Sequence, residues 1–317
     1  MNQIVEIVLP VFGLIGIGYI AARLKILPEG SDRALGDFCF VIAIPLLIFR
    51  IIATADFTVG SPVHLWLAYY IGFTTAWAGG TLAVRRLFGR DARTGVVAGV
   101  SAAFPNTLLL ALPLVITAYG DEGAAAIAVL VTVNLPVMMT VSAILNQRAM
   151  AVDGLSSHTD PRAAPKAAAI ALVKNPIVIG IAAAIAWRLT GLPLGGPVGT
   201  VVNRLADVAG TLALFSVGMN LRQYGLSGNV RPAFVIAAFK LVVMPAIIFA
   251  VLATIVHLPP VWARALVITA ACPTGVNAWL VGARFRTGEV LASNVITLTT
   301  AVSAVTVTLW LHAVEWL

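Results

Sequence analysis

The sequence predicts an all-α polytopic membrane protein: ten transmembrane helices in two inverted five-helix repeats, with crossed broken helices 4 and 9. Three observations predict it. First, 60% of the 317 residues are apolar and 10% are charged, against about 45–50% and 25% in a soluble domain. Second, the apolar residues fall into ten long segments. Third, prolines interrupt the fourth and ninth of these at matching places. A soluble fold of this size could not cover its surface with so few charges. A disordered chain needs the opposite composition.

The segments run over about 4–23, 34–53, 64–87, 94–119, 123–146, 170–190, 200–221, 232–256, 262–285 and 288–313. Each approaches the length of about 20 residues that crosses a bilayer as a helix. Backbone groups in lipid must be bonded within the chain, so the segments are helices. A barrel would show short alternating stretches instead. Residues 1–146 form the first repeat and 170–317 the second. Residues 147–169, with Pro161 and Pro165, read as a linker.

Charge fixes the expected orientation. Fifteen of the Lys and Arg residues, among them Arg23, Lys25, Arg85, Arg86, Arg90 and Arg93, lie in or beside the loops after segments 1, 3, 5, 7 and 9. Four (Arg50, Arg188, Arg204 and Arg264) lie on the other side. The positive-inside rule makes the odd-numbered loops cytoplasmic and both termini external. The net charge of +7 is therefore a topology signal, and no nucleic-acid partner is expected. Charges of opposite sign at spacings of four and three pair Arg33 with Asp37 and Arg204 with Asp207. The seven tryptophans read mostly as interfacial anchors. Cys39 and Cys272 lie in apolar stretches and read as small buried residues. The four histidines are scattered, so neither a metal site nor another cofactor is expected. Enzyme signatures such as the nucleophile elbow, H-E-x-x-H and the phosphate loop are absent, and the chain reads as no enzyme.

The halves correspond in order. Segment 4 carries Ala103-Phe104-Pro105-Asn106-Thr107 and segment 9 carries Ala271-Cys272-Pro273-Thr274-Gly275. A short turn with a glycine and an acid follows each, Glu122-Gly123 and Gly288-Glu289. Five helices per half put the second half upside down in the membrane, an architecture of secondary transporters. A mid-helix proline removes a hydrogen bond and clashes with the preceding turn. If both helices unwind there, their second halves offer free N–H groups and positive dipole ends to one point, which attracts an anion such as a carboxylate. Two simple kinks are the plainer alternative.

The candidate substrate-binding residues are Pro105, Asn106 and Thr107 on one half, and Pro273, Thr274, Gly275 and Asn277 on the other. Gly275 lets backbone approach a ligand. Asn277 either contacts ligand or caps the broken helix. Lys240 is the one lysine deep in a span, where a charge needs a partner or a purpose. It either faces an anionic substrate, stands in for a coupling cation, snorkels to the interface, or bonds the freed carbonyls of helix 9. Asn134 and Asn294 are second-layer candidates, with interhelical packing as the plainer role.

At these residues the chain resembles the auxin efflux carrier family, which includes plant auxin carriers and bacterial malonate-type carriers. The resemblance rests on Pro105 through Leu114 in helix 4, Ala271 through Ala278 in helix 9, Ile44-Pro45-Leu46-Leu47-Ile48-Phe49-Arg50 in helix 2, and Lys240 with Pro245 in helix 8. It implies a fold similar to the bile-acid sodium symporters. Helices 1, 2, 6 and 7 would form a scaffold, and helices 3–5 and 8–10 a mobile transport domain with elevator-type alternating access. The implied function is secondary transport of a small organic anion, malonate-like or another carboxylate, across the bacterial inner membrane. An auxin-like or other monocarboxylate efflux carrier is the alternative, and a non-transporting sensor or passive channel the alternative of another class. The lipid bilayer and a small carboxylate are the expected partners. A homodimer through the scaffold helices and the coupling ion, sodium or proton, are left open.

Overall fold

The computed structural model describes residues 2–55, 57, 59–155 and 169–317. Pro161 and Pro165 of the expected linker lie outside the described residues. The described residues are predominantly helical. Helix α1 spans Asn2–Arg23. Helices α2 (Ser31–Phe38) and α3 (Ile44–Thr54) join through a π-type turn at Cys39–Ala43. Helices α4 (Pro62–Leu87) and α5 (Ala92–Ala103) follow. A second π-type turn, Thr107–Ala111, leads into α6, Leu112–Val152. Then come α7 (Pro176–Leu189), α8 (Gly196–Asn220) and α9 (Arg231–Ala238). A third π-type turn, Phe239–Val243, leads to α10 (Met244–Thr254). Helices α11 (Pro260–Ala271), α12 (Asn277–Phe285) and α13 (Glu289–Ala313) complete the bundle.

Six helical stretches are long and apolar enough to cross a membrane: Ile4–Arg23, Ser31–Thr54, Thr107–Val152, Gly196–Asn220, Arg231–Thr254 and Glu289–Trp316. Of the ten expected segments, 2 and 8 are each divided by a π-type turn, 4 and 9 are each cut at a break, and the second piece of 4 is continuous with 5 in α6. Helix α6 extends six residues into the expected linker. It is also two helices in one, broken at Gly120, which has φ 61° and ψ −151°. Gly123 packs against Val115 and Tyr119, so the chain folds back there. The expected turn at Glu122-Gly123 thus falls at Gly120, where only glycine adopts this backbone cheaply.

Each π-type turn precedes a proline by one residue: Ala43 before Pro45, Ala111 before Pro113, Val243 before Pro245. A proline ring clashes with the carbonyl four residues back. Widening the preceding turn moves that carbonyl aside and lets the helix continue. In the third case the freed carbonyl is Leu241, and it accepts the Trp310 indole N–H at 2.9 Å. Trp66 likewise donates to the Val129 carbonyl at 3.0 Å. These two tryptophans therefore tie helices together, beyond any role as interfacial anchors.

Glycines set the closest helix contacts. A side chain at Gly18 of α1 would collide with the Phe215 carbonyl of α8, and one at Gly218 of α8 with the Ile15 carbonyl of α1. A Cβ at Gly180 of α7 would lie 2.7 Å from the Pro45 carbonyl oxygen of α3. Small residues let backbones approach this closely, which favours association in lipid. Helices α1–α3, α7 and α8 therefore form one tightly packed group.

The Arg33–Asp37 pair is present at 3.8 Å. Asp207 departs from expectation: its carboxylate is held by Arg50 of α3 at 2.5 Å, not by Arg204. Helix spacing permits a local pair, but α3 packs on α8 and brings a guanidinium to the same carboxylate.

Asp153 follows the last residue of α6 and caps the start of α5. Its carboxylate accepts the Ala92 and Arg93 N–H groups at 2.8 and 3.1 Å and the Arg93 guanidinium at 3.1 Å. Burial alone would raise this carboxyl, but those backbone and guanidinium bonds outweigh it and hold its pKa below the usual range. A depressed carboxyl stabilises the fold above its unfolded value, about 3.9, and the contribution is lost as pH falls through the lower folded value. Asp153→Ala should therefore cost about 1–3 kcal/mol at neutral pH, read as a lower melting temperature. The gap to the parent should close in acid. Equal melting temperatures at neutral pH would refute the cap.

Candidate functional site at the helix crossover

Helices α5 and α11 each have twelve residues, so each rises about 18 Å before it stops. That is a little over half of a hydrocarbon core about 30 Å thick. Both stop where the sequence places a proline. Phe104 and Cys272 leave their helices in extended conformation, and the two breaks pair antiparallel in a single bridge, Pro105 opposite Thr274. The Asn106 N–H donates to the Pro273 carbonyl at 2.8 Å, and the Gly275 N–H to the Phe104 carbonyl at 3.0 Å. A Cβ on Gly275 would sit 3.0 Å from the Pro105 carbonyl oxygen. Only a glycine permits this approach without displacing the strand opposite.

Each break frees carbonyls, and their new partners explain several polar residues. Ser101 is four residues before Pro105, which has no N–H to offer. Its carbonyl accepts the Thr274 hydroxyl at 2.7 Å. The Thr274 N–H donates to the Thr299 hydroxyl at 3.1 Å, which leaves the Ala270 carbonyl without its helical donor. Lys240, fully buried in the third π-type turn, donates to that carbonyl at 2.5 Å. A cation at the C-terminal end of a helix also opposes its dipole.

The second half-helices begin beside one cleft. Asn106 precedes the first and Val276 the second, and no side chain caps either end. Asn277 is the first residue of α12, and its side chain is not a cap. Of the opening N–H groups, Thr107 donates to the Pro105 carbonyl at 2.8 Å and Ala278 to the Gly275 carbonyl at 3.1 Å, while the others have no preceding turn to donate to. The cleft is narrow, with a free volume of about 50 Å³. Its polar lining comes from Asn106, Thr107, Asn134 and Asn277, with Pro105 and Gly275 at the crossing. The apolar lining includes Phe104, Leu108, Leu109, Val131 and Leu135, closed by Phe40 and Ile177 from the α1–α3, α7, α8 group. No lining residue among those described is ionisable.

Asn134 is 1% exposed. Its amide nitrogen donates to the Tyr69 hydroxyl at 3.3 Å, and its oxygen has no partner. An unpaired polar atom this deeply buried is costly unless a ligand satisfies it. Thus Asn134 belongs to the cleft itself.

The expected site residues therefore divide. Pro105, Asn106, Thr107, Gly275 and Asn277 meet at the cleft, and Asn134 joins them. Pro273 and Thr274 build the crossing from behind. Lys240 lies on the crossing's far side and does not line the cleft. Asn294 is elsewhere: its amide holds Ser227 of the α8–α9 loop through bonds of 2.9 and 2.8 Å. Sequence reasoning missed Phe40 and Ile177, which reach the cleft from distant helices, and Ser101 and Thr299, whose roles follow from the breaks. The turn that holds Phe40 is signalled by Pro45, as the Lys240 turn is by Pro245. Among the described residues no group of three His, Cys, Asp or Glu gathers to hold a metal ion.

A family model for a membrane transport protein matches residues 3–311. The chain belongs to this auxin efflux carrier family. It is a multi-pass membrane transporter, and the family is one of transporters rather than enzymes. The chain is 27% identical to a putative malonate transporter of Rhizobium meliloti, over 99% of this chain and 97% of that one. It is 26% identical to an uncharacterized transporter of Methanothermobacter thermautotrophicus, over 96% of each. It is 23% identical to auxin efflux carrier component 8 of Arabidopsis thaliana, over 93% of each.

Proposed function

We propose that the protein is a secondary active transporter of a small organic anion, bound as a carboxylate at the crossover. The observation that carries this reading is the antiparallel pairing of the two breaks. It aims two uncapped half-helix N-termini at one cleft whose polar side chains are uncharged, the Asn106 and Asn277 amides among them. Helix N-termini are ready-made anion sites, and membrane transporters build midplane sites from such broken helices. The malonate and auxin labels on the relatives agree with an anionic substrate.

The matched breaks and their antiparallel crossing support ten spans in two inverted repeats. Helices α1–α3, α7 and α8 correspond to spans 1, 2, 6 and 7 and would be the static scaffold. The glycine contacts between them favour one rigid body. Because Phe40 and Ile177 close the cleft from the scaffold side, sliding the crossover group past them would open it to alternate faces, an elevator motion. The arginine bias places the termini outside and the 147–169 loop in the cytoplasm of an inner membrane.

Purified protein in liposomes should accumulate a labelled carboxylate with saturable kinetics and show counterflow, which a passive channel lacks. Asn106→Ala should lower uptake at least about tenfold, the scale of one lost hydrogen bond to a charged group, with the melting temperature unchanged. Parental uptake by that variant would refute the site.

A further inference from the structure

A second cavity lies away from the crossover, at the end of the bundle that the arginine bias places in the cytoplasm. Its free volume is about 370 Å³, against about 50 Å³ at the crossover. Three connections build it: the α4–α5 loop with Arg90, the α8–α9 loop with Asn229, and the α12–α13 turn with Arg286 and Thr287. The walls hold one another. The Thr94 and Thr287 hydroxyls share a hydrogen bond at 3.0 Å, and a Cβ on Gly288 would lie 3.0 Å from Val97 of α5. The lining carries both signs of charge. Arg90 and Arg286 are cations, and Glu289, the first residue of α13, is an anion. None of the three forms an ion pair among the described residues. The start of α13 has no side-chain cap, so its first N–H groups are further donors for an anion.

The cavity sits at the edge of the bilayer. Two of the stretches long and apolar enough to cross a membrane begin beside it, at Arg231 and at Glu289. Pro232 and Val290 give it an apolar side. Val290 and, on the flanking elements, Leu87, Leu226 and Phe234 are more than half exposed. Such side chains need acyl chains against them, which puts the charged groups at headgroup level. Basic pockets at that level between helices are lipid headgroup sites.

We propose that this cavity binds the phosphoethanolamine headgroup of a phospholipid. The two guanidiniums donate to the phosphate oxygens, a pairing that their fork geometry suits. The Asn229 amide and the first N–H groups of α13 donate to the same group. The primary ammonium donates to the Glu289 carboxylate. A phosphatidylglycerol headgroup has no cation for Glu289, and the quaternary ammonium of phosphatidylcholine has no N–H to donate. The cavity belongs to the elements that carry the crossover. Under the elevator reading above, a bound headgroup therefore favours the state that keeps the cavity at the bilayer surface. Binding itself does not depend on that reading.

The test is thermal unfolding of the full chain in detergent, titrated with short-chain phosphatidylethanolamine, phosphatidylglycerol and phosphatidylcholine, and with soluble phosphoethanolamine. A ligand raises stability according to its concentration relative to Kd. The Kd for phosphatidylethanolamine should be at least about tenfold below the others, the scale of one hydrogen bond to a charged group. Arg90→Gln and Arg286→Gln should each weaken its binding about tenfold. Arg23→Gln, on the same face but outside the cavity, should leave it unchanged. These three arginines are exposed, so the lipid-free variants should melt with the parent. Glu289→Gln should remove the preference for phosphatidylethanolamine over phosphatidylglycerol. Equal affinity of the parent for the three lipids, or parental affinity in both cavity arginine variants, would overturn the proposal. So would an equal loss in Arg23→Gln, which marks general surface charge, or soluble phosphoethanolamine binding as tightly as the lipid.

Discussion

Gly275→Val should abolish transport and destabilise the protein by about 1–3 kcal/mol, the usual cost of overpacking. Its Cβ would lie 3.0 Å from the Pro105 carbonyl oxygen, 3.3 Å from the carbonyl carbon and 3.4 Å from the Asn106 Cα. All three are backbone atoms of the opposite strand, so no side-chain rotation relieves the contact. The opposite segment must shift by a few tenths of an ångström for the first carbon and further for the valine branches, which strains the two bonds that join the segments and displaces the half-helix N-termini from their common cleft. Uptake into liposomes and thermal unfolding of the purified variant measure the two effects. Gly275→Ala grades them, because it adds the same first contact without the branches. A fully active, parentally stable valine variant would show that the crossing does not depend on this approach.

Lys240→Met should weaken carboxylate binding by about tenfold or more while changing the melting temperature little. Lys240 opposes the dipole of the half-helix that ends at the crossing, and at an effective dielectric constant of about 20 a unit charge within about 8 Å of a carboxylate would be worth about 2 kcal/mol, or about thirtyfold in affinity. The opposing folding terms nearly cancel. The variant leaves the Ala270 carbonyl unpaired, which costs about 1–3 kcal/mol, but it no longer buries an ammonium without a carboxylate partner, which is itself expensive. Lys240→Arg keeps the charge on a larger, planar donor in a fully buried site and should recover affinity only in part. Titration with the carboxylate that the liposome assay identifies, together with thermal unfolding, separates the roles. A lower melting temperature with unchanged affinity would reduce Lys240 to a helix cap.

Residues whose effect is local were legible in the sequence. Pro105 and Pro273 end their helices wherever those helices pack, because a missing N–H and a ring clash are properties of the residue. Asn106, Thr107, Gly275 and Asn277 could be named because they follow those prolines. The helix start after Gly288 was readable for the same reason, whereas the break between Pro113 and Asn134 falls at Gly120 rather than at Glu122-Gly123. Glycine alone does not say which of two neighbouring positions takes the positive φ. Residues whose role depends on a distant element were not legible. Phe40 and Ile177 read as ordinary apolar residues of two helices 137 positions apart, and only packing brings them to one cleft. Arg50 and Asp207 are 157 residues apart, and the local spacing pointed to Arg204 instead. Asn134 looked like packing material until its oxygen proved unpaired.

By itself, the sequence determined that this chain is a helical, membrane-embedded transporter of its family, with two helices broken at Pro105 and Pro273. Composition decides which solvent a chain can face, and proline decides where a helix must stop. Both act without reference to the rest of the fold. The tertiary structure alone decided the register of the crossing and that both half-helix N-termini meet at one cleft. It also decided that Lys240 serves the Ala270 carbonyl behind that cleft and that Phe40 and Ile177 face the asparagines with an apolar wall. Those outcomes follow from which freed carbonyls find which donors, and that depends on elements more than a hundred residues apart being packed together.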